Sequence, residues 1–170
     1  MKIKYTINIL LLSLLSFTKS YSIQPDVFVQ STVNKASSIL SSEMSLEKKI
    51  SELKLIAKET VDIKGIGFYT LGSARKNLND EQKKKYAELF EQYFLKSFSS
   101  RLAEYTNPEI SVEGKKVLSE KYTIVNSLLK ETNERPEIKI DWRIYTKNPE
   151  NPLIRDLIIE GLSLARTQKE

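Results

Sequence analysis

The sequence predicts an α+β domain in which helices come first and strands follow. Three observations carry this. Apolar residues recur at helical spacing from Pro25 to Tyr105, and strict two-residue alternation sets in at Ile138. Between the strand candidates stand turn clusters, Asn133-Glu134-Arg135-Pro136 and Asn148-Pro149-Glu150-Asn151-Pro152. Runs of helix followed by runs of strand favour this class over alternating βαβ units.

The elements follow in order. Pro25 opens a helix to about Leu40, with Val27, Phe28, Val33, Ala36 and Leu40 as its inner face. Ser45 caps a second helix running to about Thr60, whose buried stripe is Ile50, Leu53 and Ile56. A third, glycine-rich segment follows Asp62 and carries Ile66, Phe68, Tyr69 and Leu71; Gly65, Gly67 and Gly72 let backbones approach closely. A long helix begins after Asn79, whose side chain can accept from the amide of Gln82, and stops at Asn107-Pro108.

From Gln82 to Tyr105 that helix spans roughly 36 Å at 1.5 Å per residue. One face carries Tyr86, Leu89, Phe90, Tyr93, Phe94, Phe98, Leu102 and Tyr105, and the other Lys83, Lys84, Glu88, Glu91, Gln92 and Lys96. Two readings of this aromatic face stand side by side. It can be core packed on a sheet, or it can line a cavity for an apolar ligand, since rings leave wide, irregular gaps.

Four strands are expected. Ile110–Val112 is short, and Lys121–Leu129 is longer. In the third, Ile138, Ile140, Trp142 and Ile144 alternate with Lys139, Asp141, Arg143 and Tyr145, giving one dry and one wet face. Ile154–Leu164 is the last. An antiparallel meander with its dry face toward the long helix follows.

The N-terminus reads as an export signal. Lys2 and Lys4 form a basic start, Ile7–Leu15 is an apolar run too short to span a bilayer, and Ser20-Tyr21-Ser22 offers small residues to a signal peptidase. Cleavage is expected near Ser22, releasing a soluble exported chain of about 148 residues, enough for a single domain with one core. Removing Lys2, Lys4 and Lys19 with the leader lowers the formal net charge from +5 to +2, which is no nucleic-acid footprint. With no cysteine the chain forms no disulfide and carries no lipoprotein-type lipid anchor.

The absence of histidine and cysteine removes His-dependent triads, cysteine nucleophiles and nearly all transition-metal sites; no cofactor is expected. Asp141, Asp156 and Glu160 read as solvated or paired surface charges. Ser163, in Gly161-Leu162-Ser163-Leu164, lacks the second glycine of a nucleophile elbow, and no lysine-serine pair follows Gly65 and Gly67 as a phosphate loop requires.

Several residues taken in order resemble the MlaC, or toluene-tolerance, family of periplasmic phospholipid-binding proteins. They are Leu71-Gly72 with Arg75, Asn79 to Gln82, Tyr86 to Phe90, Tyr93-Phe94 and Leu102 to Tyr105, then Asp141-Trp142, Asp156 and Glu160-Gly161-Leu162-Ser163-Leu164. The resemblance implies helices wrapped on a twisted four-stranded antiparallel sheet, NTF2-like, with an apolar cavity for acyl chains between them. It implies a monomeric, non-enzymatic periplasmic carrier. Such a carrier exchanges phospholipid with an inner-membrane ABC transporter complex and an outer-membrane lipoprotein complex, maintaining outer-membrane lipid asymmetry.

On that reading the lipid-binding residues are Ile66, Phe68, Tyr69, Leu71, Phe90, Tyr93, Phe94, Phe98, Leu102 and Tyr105 from helices, with Val125, Ile140, Trp142 and Ile144 from the sheet. Two rivals remain: a structural envelope protein with a filled core, and a small cavity hydrolase or isomerase using a carboxylate and a tyrosine. The sequence departs from the family at Pro152, near the place of a usual tryptophan, and after Arg166, where members continue with further helical sequence. The cavity wall or a sheet edge is therefore expected to be partly exposed.

Overall fold

The computed structural model describes residues 22–133 and 135–169; the expected leader, apart from Ser22, lies outside them. Helices α1 (Pro25–Leu40), α2 (Leu46–Thr60) and α3 (Ile63–Thr70), a 3₁₀ turn (Gly72–Asn77) and α4 (Asp80–Leu102) precede the sheet. The sheet comprises β1 (Ile110–Ser119), β2 (Tyr122–Leu129), β3 (Ile138–Tyr145), β4 (Leu153–Ile159) and β5 (Leu162–Ser163), and α5 (Leu164–Thr167) follows.

Local chemistry sets the helix starts. Pro25 occupies the first turn of α1, and Ser45 Oγ accepts the Lys48 amide at the head of α2. Asp62 Oδ1 accepts the Gly65 amide at 2.8 Å to start α3. Asn79 and Gln82 form a reciprocal capping box, with Asn79 Oδ1 accepting the Gln82 amide at 2.8 Å and Gln82 Oε1 accepting the Asn79 amide at 3.0 Å. α4 ends at Leu102, short of the expected Tyr105. The chain then turns through Asn107, whose φ of 47° is left-handed, and Ser37 Oγ of α1 donates to the Pro108 carbonyl at 2.8 Å.

The five strands form an antiparallel meander in the order β1-β2-β3-β4-β5. The expected final strand Ile154–Leu164 is in fact a hairpin, because Glu160 and Gly161 adopt φ of 49° and 82°, the paired positive values of a tight reversal. Asp156 lies inside β4 and Glu160 in its turn, where Oε1 accepts the Lys139 amide at 2.5 Å. β1 is much longer than the expected Ile110–Val112. Its pairing with β2 shifts register between Val112 and Gly114 and again between Val117 and Ser119. Val117 and Leu118 stand exposed along this edge.

β3 keeps the expected phase. Ile140, Trp142 and Ile144 are buried and point to the helices, opposite Ser127, Val125 and Thr123 of β2. Asp141 lies on the wet side and accepts from Asn126 Nδ2 at 2.8 Å. α1 lies over β1, joined by Gln30 Oε1 to the Val112 amide at 3.1 Å and by Lys115 Nζ to Asp26 at 2.7 Å. The hydrogen bond from Lys115 holds the Asp26 carboxyl below its usual pKa, against the opposing effect of burial.

α4 packs on α2 and α3 rather than lying flat on the sheet. Its buried side chains are Leu95 and Ser99, whose hydroxyl donates to the Leu95 carbonyl. The aromatic face turns past this contact stripe toward the sheet, so α4 and β3 stand apart as two walls.

Candidate functional site: an apolar cavity between helices and sheet

Between those walls lies a cavity of about 520 Å³. α1 contributes Thr32, Val33, Ala36, Ser37 and Leu40; α2 contributes Leu53, Ile56, Ala57 and Thr60. α4 and the turn after it give Phe90, Tyr93, Phe94, Ser97, Phe98, Arg101, Leu102, Tyr105 and Pro108. The floor is Ile110, Leu129, Ile140, Trp142, Ile154, Leu157 and Ile159 of the sheet, and Leu164, Ala165 and Gln168 close one side. The volume falls within the roughly 300–1,000 Å³ of ligand pockets and far exceeds a packing defect.

Several polar groups on this wall are hydrogen-bonded within the protein. Thr32 Oγ1 donates to the Phe28 carbonyl and Thr60 Oγ1 to the Ile56 carbonyl, both at 2.8 Å, so neither hydroxyl needs a partner in the cavity. Trp142 Nε1 donates to Ser127 Oγ at 2.8 Å, and that hydroxyl donates to the Ile140 carbonyl at 3.0 Å. The indole is thereby satisfied within the sheet, and its ring is left as apolar surface. Ser127→Ala removes this acceptor inside a buried site; we expect a loss of about 1–3 kcal/mol in urea unfolding. Unchanged stability would show that the indole nitrogen finds another partner.

The aromatic face of α4 forms a run of neighbouring rings, with centroid separations of 5.9 Å (Tyr86–Phe90), 6.2 Å (Phe90–Phe94) and 5.2 Å (Phe94–Phe98). A side chain at Gly67 of α3 would place its Cβ 2.8 Å from Phe90 Cδ1, so the glycine permits the close helix crossing that positions this ring. Leu89, on the same expected face, is instead 52% exposed.

Of the residues named from sequence, Ile66, Phe90, Tyr93, Phe94, Phe98, Leu102, Tyr105, Ile140 and Trp142 line the cavity. Val125, opposite Trp142, and Ile144 are wholly enclosed in the adjoining packed core with Val29, outside the lining. On α3 the inward positions are Ile63, Ile66 and Gly67. Phe68 and Tyr69 point elsewhere, Phe68 beneath Lys64 and Tyr69 beneath Lys169. Leu71 caps α3 half-buried, outside the lining.

Asp156, expected as a surface charge, is 5% exposed. Its carboxylate accepts from Ser163 Oγ at 2.6 Å and the Ala165 amide at 3.0 Å, fixing β5 and α5 at the cavity's side. Nearby, the α2–α3 junction is pinned to β4. The Asp62 amide donates to the Ile154 carbonyl at 2.9 Å, and Arg155 Nε meets Asp62 Oδ2 at 2.5 Å. Arg155 also lies 4.4 Å from the centroid of Tyr145.

Sequence reasoning named Val33, Ala36, Leu40, Leu53 and Ile56 as inner helix faces without assigning them to a cavity, although the same stripe supplies its wall. Arg101 and Gln168, the polar residues at its rim, carry no periodic signal.

This architecture has a solved counterpart. The phospholipid-binding protein from Ralstonia solanacearum, determined in complex with a phospholipid, superposes with a TM-score of 0.71 at 17% identity, covering 86% of this chain and 84% of its own. The likeness extends to the fold. Comparison with curated proteins finds no match. The sequence pattern of the MlaC protein family matches residues 30–170, taking in every helix and strand but the first turn of α1, and the chain belongs to that family.

Proposed function

We propose that this protein is a periplasmic phospholipid carrier that holds acyl chains in the cavity between α4 and the sheet. The observation that carries the reading is the wall itself: a volume of about 520 Å³ faced mainly with aliphatic and aromatic side chains, with the Thr32 and Thr60 hydroxyls bonded to backbone carbonyls. Family membership and a phospholipid-bound protein of the same fold support it.

Energetics shape the mechanism. Burying a methylene is worth about 0.8 kcal/mol, so two chains of some 30 methylenes in all represent on the order of 24 kcal/mol relative to water. Release into water is therefore negligible. Between the cavity and a bilayer the chains pass from one apolar phase to another, and the difference is small. Transfer consequently takes place while docked at a membrane-bound partner. The partners implied by the family are an inner-membrane ABC transporter complex and an outer-membrane lipoprotein complex, and the role is maintenance of outer-membrane lipid asymmetry. The protein acts as a monomeric binding protein rather than an enzyme, its expected leader directing export.

The test is native mass spectrometry with chloroform extraction after gentle purification of the exported protein. Diacyl phospholipid near one molecule per chain is expected. Recovery of protein without lipid, together with no uptake from phospholipid vesicles, would overturn the carrier in favour of a structural protein.

A further inference from the structure

We propose that Arg101 gives this cavity a preference for phospholipids of net negative headgroup charge, an inference that rests on the carrier reading above. The rim can be located by exposure. Among lining residues Tyr93 is 54% and Leu164 41% exposed, Gln168 is exposed beside them, and Arg101 is exposed about two turns further along α4. Tyr93 Oη donates to Gln168 Oε1 at 3.2 Å, linking the α4 and α5 sides of this rim.

With acyl chains inside, a phosphate diester must sit at the rim, where a charge keeps its water. The cavity lining has two charged side chains, Asp156 and Arg101. Asp156 is buried and accepts from Ser163 and the Ala165 amide. The Arg101 side chain makes no hydrogen bond or ion pair with any described side chain, the Glu104 carboxylate three positions on included. Its guanidinium therefore offers a planar, two-pronged donor set to a phosphate oxygen pair.

A second guanidinium reinforces the sign of the field at this end of α4. Arg135 stacks 4.8 Å from the centroid of Tyr105, a wall residue, and its Nε is buried without an acceptor among the described residues. A zwitterionic headgroup brings an ammonium to this positive rim along with its phosphate. A glycerol headgroup brings the phosphate alone, and the difference produces selectivity.

Arg101 also stands in the last turn of α4, where a cation favours the helix dipole, so stability must be separated from selectivity. The experiment incubates the purified chain with vesicles of equimolar phosphatidylglycerol and phosphatidylcholine bearing identical acyl chains, then measures the ratio of the two lipids on the recovered protein. The wild type should favour phosphatidylglycerol by about 3- to 10-fold, in keeping with one partly exposed charge contact. Arg101→Lys keeps the charge without the two-pronged donor set and should retain part of the preference. Arg101→Glu should bring the ratio to one or below. Raising salt from about 0.05 to 0.5 M should flatten the wild-type preference and bring any inverse preference of the Glu variant back toward one.

A helix-dipole role alone would lower the melting temperature and leave the ratio unchanged. An unchanged ratio in Arg101→Glu, or an unbiased ratio in the wild type, overturns the proposal while leaving the carrier reading intact. A wild type that takes up neither lipid overturns both.

Discussion

Asp62→Ala is expected to destabilise the fold by about 2–4 kcal/mol in urea or thermal unfolding. The carboxylate does two things at once. One oxygen accepts the Gly65 amide and starts α3, and the other meets Arg155 Nε, with side chains only 17% and 28% exposed. Loss of the cap costs about 1 kcal/mol. Loss of the counter-ion leaves Arg155 beneath α3 with only Tyr122 Oη and the Tyr145 ring, and the partial exposure keeps this cost below the 3–5 kcal/mol of a fully buried pair. The double variant Asp62→Ala/Arg155→Met should recover part of the loss, because the orphaned charge is gone. A single variant within about 0.5 kcal/mol of wild type would mean that the junction is held by the Asp62 amide and the Val61–Ile154 bridge alone.

How much of this was legible in the sequence follows from the range of each interaction. Caps and strict alternations are local, and so Pro25, Ser45, Asp62 and Asn79 mark helix starts, while Ile138 to Tyr145 fixes β3 with the correct face inward. The reversal at Glu160-Gly161 escaped because it lacks the Asn-Gly or Asp-Gly signature of such turns, and its left-handed Glu160 is held by hydrogen bonds to Lys139, 21 residues away. β1 escaped because an exposed edge strand, with Gly114, Lys115 and Lys116 at its middle, needs no apolar alternation.

The site was half legible for a further reason. Periodicity tells which face of α4 is apolar, but whether that face meets the sheet or a space depends on the side chains that hold the helix off. The side chains that α4 buries, Leu95 and Ser99, lie off the aromatic stripe. A cavity is a difference between volumes contributed by several elements, and no single stretch encodes it. The same holds for Val125 and Ile144, which share the inner face with Ile140 and Trp142 yet fall where α1 packs solidly.

Filling the cavity by mutation separates an acyl-chain pocket from a protein whose interior is merely packed loosely. The double variant Ala36→Phe/Ser97→Phe puts a ring on the α1 wall and another on the α4 wall. An engineered cavity of about 150 Å³ holds one benzene, so two rings consume roughly 300 Å³, more than half of the 520 Å³ present. If the space is real, the rings enter it without strain. Buried apolar area then offsets a helix-propensity cost of up to about 0.7 kcal/mol at Ala36, and stability should remain within about 1 kcal/mol of wild type. If the interior were filled, overpacking would cost about 1–3 kcal/mol per ring. Lipid recovered with the protein should fall at least about tenfold, because chains displaced from the cavity lose on the order of 0.8 kcal/mol per methylene. Ser38→Phe/Gln92→Phe, at exposed positions of the same two helices, should leave lipid content unchanged. A filled variant that folds normally and still carries a full complement of phospholipid would place the acyl chains somewhere other than between α4 and the sheet.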